Sequence, residues 1–114
     1  RLTEAMEKIV VVKESMKRNF DSSKGMIAAE PAYILLAAAG HPDAHEYVRK
    51  ITLLAQQQGK IFQEVLMNDA VAQPYLKKMT KTQLQLLQNQ EMYTGIAAEK
   101  TERVCRQWEK ALRI

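Results

Sequence analysis

Little in this 114-residue chain interrupts it: there are four glycines, three prolines and a single cysteine, Cys105. One cysteine closes no internal disulfide. The expectation is therefore a reducing, cytoplasmic setting. Aromatic residues make up only 6% of the chain. Nucleic-acid binders interleave clustered Lys and Arg with stacking rings. Here 17 basic residues face 13 acidic ones, for a net charge of +4, and they are scattered. The charge reads as a solvated helical surface, with no nucleic-acid partner expected. No apolar run approaches the roughly 20 residues that span a bilayer, so no membrane partner is expected either. No signal-peptide pattern opens the chain. It begins at Arg1, already inside a helical pattern, which leads us to expect a piece of a longer protein.

What is present is apolar residue at helical spacing. Hydrophobic residues make up 46% of the chain, enough for one core. Period-two alternation is absent and period 3.6 recurs, so the fold class is all-α, a small bundle of about five to seven helices. The first stretch puts Leu2, Met6, Ile9 and Val10 on one face and runs to about Asn19. Asp21, Ser22 and Ser23 offer N-cap oxygens for a second helix over residues 24–39. That helix is apolar nearly all round and is expected to be the buried centre, with a kink at Pro31. Gly40 stops it, and Pro42 starts a third helix in its first turn. The third helix runs to about Gln58, with Ala44, Val48, Ile51 and Ala55 inward.

A short fourth helix follows around Phe62, Val65 and Leu66, then a loose turn from Val71 to Met79. Thr80 and Gln83 have the spacing of a capping box. The last helix follows Thr94 and Gly95 and places Ala97, Thr101, Val104, Trp108 and Leu112 on one face, with Cys105 beside them. That face is expected to be core, so Trp108→Ala should cost about 3–5 kcal/mol.

Candidate chemistry is sparse. His41 and His45 are four residues apart with Asp43 and Glu46 nearby, yet they straddle a helix start. A metal pair needs both rings on one regular face and a third ligand, so capping and surface roles are preferred. Cys105, on the expected inner stripe, reads as a small apolar residue rather than a nucleophile. Glu30 lies in an apolar stretch. It is either a buried carboxylate with a raised pKa or, in the preferred reading, half of a structural ion pair with Lys24 or a neighbouring helix. No phosphate loop, zinc spacing or nucleophile elbow occurs. The residues thus assign no catalytic, cofactor or metal site.

Three stretches do carry a resemblance. Residues Met16 to Ile27 contain a Met-x-x-Asn-hydrophobic-Asp segment leading into Gly25-Met26-Ile27. Ala44-His45-Glu46-Tyr47-Val48 and Tyr93-Thr94-Gly95-Ile96-Ala97 follow in order. Together they resemble the C-terminal domain of the adenylosuccinate lyases, within the fumarase/aspartase superfamily. The carboxymuconate cycloisomerases share the first two and much of the third, and remain the alternative. The resemblance implies a parent enzyme that eliminates fumarate in purine synthesis, using a serine base on a Ser-Ser-x-Met-Pro loop and a histidine acid. Ser22 and Ser23 do not match that loop, and His45 falls at a structural position, so no catalytic residue carries over. It also implies that residues 1–15 are the tail of a long bundle helix and 16–114 a helical domain beside the active-site cleft. The parent would be a homotetramer whose active site takes the small-molecule substrate, and this piece would be inactive alone. A non-enzymatic helical module that binds a partner helix through residues 2–12 is the other reading.

Overall fold

The computed structural model describes residues 1–113; Ile114, the end of the expected 16–114 domain, lies outside them. Among the described residues the regular structure is entirely helical. Eight α-helices run in order: α1 (Leu2–Glu7), α2 (Lys13–Asp21), α3 (Ala29–Ala38), α4 (Ala44–Gln58), α5 (Phe62–Asn68), α6 (Gln73–Leu76), α7 (Lys81–Gln88) and α8 (Ala97–Leu112). Short 3-10 turns cover Met26–Ala28 and Gln90–Met92. The all-α expectation holds, with one helix more than the upper bound expected.

The extra helix comes from the first stretch, which breaks between α1 and α2. Four β-branched residues in a row, Ile9 to Val12, fill the gap. Such residues lose side-chain freedom in a helix. Here all four are exposed, and no packing offsets that loss. Ser22 also departs from expectation. Its hydroxyl donates backwards to the Asn19 carbonyl at 2.6 Å, so it closes α2 rather than opening the next helix. Met26–Ala28 and α3 begin with no side-chain cap.

The segment 24–39 is the centre of the core but not one helix. Lys24 and Gly25 form a turn with positive φ, a 3-10 turn follows, and α3 starts only at Ala29. Pro31 therefore falls in the first turn of α3, where backbone N–H groups lack intrahelical acceptors. The expected kink has no cause. Nor is this helix buried all round: Ala28, Pro31, Ala32 and Leu36 are buried, while Ile27 and Ile34 are exposed.

Helix α3 packs most extensively on α4, and α4 on α5. The inward stripe of α4 is the expected one, with Ala44, Val48, Ile51 and Ala55 at most 5% exposed. Phe62, Leu36, Leu66 and Leu87 are the largest fully buried side chains and join these helices to α7. Gly40 and Gly59 end α3 and α4. In each case the glycine and the residue after it return hydrogen bonds to the last turn: Gly40 to Ala37, His41 to Leu36, Gly59 to Gln56 and Lys60 to Ala55. Pro42 stands before Asp43, the N-cap of α4, and so outside the helix. At α7 the capping box is complete. The Gln83 N–H donates to Thr80 Oγ1 at 3.2 Å, and the Thr80 N–H donates to Gln83 Oε1 at 2.8 Å.

Helix α8 overturns the largest packing expectation. None of its residues is buried, and Trp108 is 63% exposed. Its apolar stripe of Val104, Cys105, Trp108 and Leu112 exists, but no other helix packs extensively on it. Periodicity shows that a helix has a greasy side; it does not supply what covers it. With α1 likewise free of the body, the molecule is long, 56 × 28 × 22 Å.

Candidate functional site

Polar and aromatic side chains converge where α3 hands over to α4. His41 is half-buried there. Its ring lies 4.7 Å from that of Tyr47, stacked at 29°, and 4.7 Å from that of Tyr75, tilted at 50°. Its Nδ1 accepts the Asp43 N–H at 3.1 Å. Tyr47 donates its hydroxyl to Asp69 Oδ1, which also takes the N–H groups of Val71 (2.9 Å) and Ala72 (3.3 Å). Burial pushes the Tyr47 phenol far above its ordinary value, and the bond to the Asp69 carboxylate adds to this. Lys78 Nζ donates to the Ala39 carbonyl at 3.0 Å and sits 5.4 Å from the centre of the Tyr75 ring.

His45 takes no part in this cluster. It is exposed and meets Tyr33 edge-on at 5.4 Å. The two histidines thus face different tyrosines rather than one shared point. Glu46 binds Arg49 in a two-pronged pair, 2.6 and 2.8 Å, with Lys50 at 3.8 Å. The Arg49 hydrogen bonds hold its carboxyl down at about 2. Asp43 is an exposed N-cap whose side chain makes no capping bond.

Glu30 is exposed, so the buried-carboxylate reading fails. No ion pair joins it to Lys24 among the described residues. Its charge reaches Tyr93 instead, whose phenol is raised by desolvation and then by that carboxylate. Cys105 is exposed, which overturns its expected place in the core. Ser23 lies at the turn before Met26, with its hydroxyl buried and unpaired.

A cleft of about 600 Å³ opens between the end of α2, the start of α5 and the segment after α7. Phe20, Lys24, Ile61, Gln63 and Gln90 line it. Gly25 is favoured here by its backbone, whose φ is +82°; a Cβ on it would also meet Gln63 Oε1 at 1.7 Å, a contact relieved only if that side chain moves. Neither this contact nor the tyrosine–histidine junction was visible in the sequence. Residues 22 apart, such as Tyr47 and Asp69, leave no periodic signal of their meeting.

Comparison with known proteins settles the kinship of this stretch. It is 32% identical over 101 residues to adenylosuccinate lyase of Methanocaldococcus jannaschii, covering 87% of the chain and 21% of that enzyme. It is 37% identical over 93 residues to adenylosuccinate lyase of Pyrococcus abyssi, covering 80% of the chain and 20% of the enzyme. The chain belongs with the adenylosuccinate lyases. A third relative under that name, from Aquifex aeolicus, is 32% identical over 75 residues and covers 64% of the chain. The chain spans about a fifth of the length of the adenylosuccinate lyases it matches. No protein-family model matches it, and no solved structure does. A kinship with the carboxymuconate cycloisomerases is not shown. Among the described residues, no helix is long and apolar enough to cross a membrane.

Proposed function

We propose that these residues are the C-terminal helical domain of an adenylosuccinate lyase-like enzyme. Residues 1–15 continue into a preceding helical domain, and residues 16–114 form the terminal one. The parent is a cytoplasmic homotetramer that releases fumarate from adenylosuccinate in purine nucleotide synthesis. Such an elimination needs a base for the proton beside a carboxylate and an acid for the departing nitrogen. In this reading neither comes from this chain, and no cofactor or metal is held here. The domain borders the cleft and positions it, a role of burial and orientation.

The observation that carries this reading is the near end-to-end match of this chain to one fifth of a much longer lyase. The exposed apolar stretches of α1, of Ile9 to Val12 and of α8 support it, because they are the surfaces a larger protein would cover. A chimera tests it. The matching fifth of the Methanocaldococcus jannaschii enzyme is replaced by this chain, and fumarate release from adenylosuccinate is measured. The reading predicts retained turnover in the chimera and loss on deleting that fifth. A folded, tetrameric chimera without turnover, or undiminished turnover after deletion, overturns it.

A further inference from the structure

We propose that His41 is a proton-released latch across the α3–α4 junction. Its main chain caps α3, since its N–H returns to the Leu36 carbonyl at 2.9 Å. Its side chain then reaches forward, and Nδ1 accepts the N–H of Asp43, the N-cap of α4. One residue thus ties the end of one core helix to the start of the next. A backbone N–H only donates, so Nδ1 must carry a lone pair and the proton of the neutral ring must sit on Nε2. A second proton on Nδ1 would set one N–H against another, so proton uptake and the latch exclude each other.

The surroundings fix what else changes on protonation. From α4 comes Tyr47, whose phenol stays neutral and bound to Asp69. From α6 comes Tyr75, and just beyond it Lys78, whose ammonium rests over the Tyr75 ring and on the Ala39 carbonyl. The Asp43 carboxylate flanks the connector itself. The stacked Tyr47 ring welcomes a cation, while Lys78, whose ammonium sits on the Ala39 carbonyl beside Gly40, is a like charge nearby. The ring contacts are compatible with either protonation state, and what proton uptake removes is the bond to Asp43. Release would loosen the connector 41–43 while leaving the α3–α4 core contacts in place.

The chain has only two histidines, which makes the test clean. Imidazole 15N shifts are recorded on the chain from about pH 7.5 to about pH 5.5, the range in which histidine titrates. Protection of the Asp43 amide is followed in parallel by fast-exchange NMR. The Nε2–H tautomer is expected at the upper end. Asp43 protection, corrected for intrinsic exchange, is expected to fall by up to about tenfold per pH unit as His41 takes up its proton. His41→Asn keeps an acceptor near Nδ1 and does not titrate, so its Asp43 protection should be flat. His45→Asn should leave the pH response intact. An Nδ1–H tautomer at neutral pH, flat protection in the unaltered chain, or a response that survives His41→Asn each overturns the proposal. If the Asn variant does not fold, the tautomer and protection of the unaltered chain still decide.

Discussion

Replacing Phe62 with alanine should remove much of the stability of the body. The ring is fully buried where α5 meets α4 and the Met26–Ala28 turn, and the Phe62 N–H bonds the Lys24 carbonyl at 3.1 Å, pinning the turn before α3 to the start of α5. An aromatic side chain of this kind buries about 200 Å², and at about 25 cal/mol per Å² that is about 5 kcal/mol of transfer free energy. Alanine keeps its methyl, the cavity adds a penalty, and partial collapse returns some of it, which leaves a loss of about 3–5 kcal/mol. Against a total stability of about 5–15 kcal/mol this is a large fraction. Equilibrium urea unfolding followed by helical circular dichroism measures it, with an unchanged slope expected. The same experiment on Trp108→Ala should show a change below about 0.5 kcal/mol in this chain, because that ring stands in solvent. A Phe62 loss below about 1 kcal/mol, or a Trp108 loss above about 3 kcal/mol, refutes the packing described.

Three further outcomes follow from particular contacts. Gly25→Ala should cost about 1–2 kcal/mol in urea melts, since alanine is strained at φ +82° even after the Gln63 amide swings aside. Tyr47→Phe should cost about 1.5–3 kcal/mol, because it deletes a hydrogen bond to the Asp69 carboxylate in a half-buried site. Glu46 is depressed, so its favourable pairing is complete above the ordinary carboxylate range and fades only as pH falls towards about 2. Its side-chain carbon shift should stay that of a carboxylate at pH values below the ordinary glutamate range. Arg49→Gln should bring its titration back towards that range.

Much of the core was legible because it rests on local periodicity. Ala44, Val48, Ile51 and Ala55 recur at intervals of four, three and four, and α4 buries all four. The capping box at Thr80 and the stops at Gly40 and Gly59 are likewise properties of a few adjacent residues. The failures share the opposite cause. Pro31 reads as a kink only if the helix starts at Lys24, and the start depends on the turn at Lys24 and Gly25, which the Phe62 N–H ties to another helix. Val104, Trp108 and Leu112 form the stripe the sequence promises, but whether it is core depends on a partner the stripe does not encode. Ile9 to Val12 could continue a helix only against a covering surface. The meeting of His41 and Tyr47 with Tyr75 and Asp69 is tertiary, and no local pattern announces it.

If, as proposed, this segment contributes shape and no chemistry to a lyase, the purified 114-residue chain given adenylosuccinate forms fumarate at a rate indistinguishable from buffer alone. Turnover that scales with the concentration of the chain, and that disappears on unfolding it, would show that the chain itself carries the chemistry.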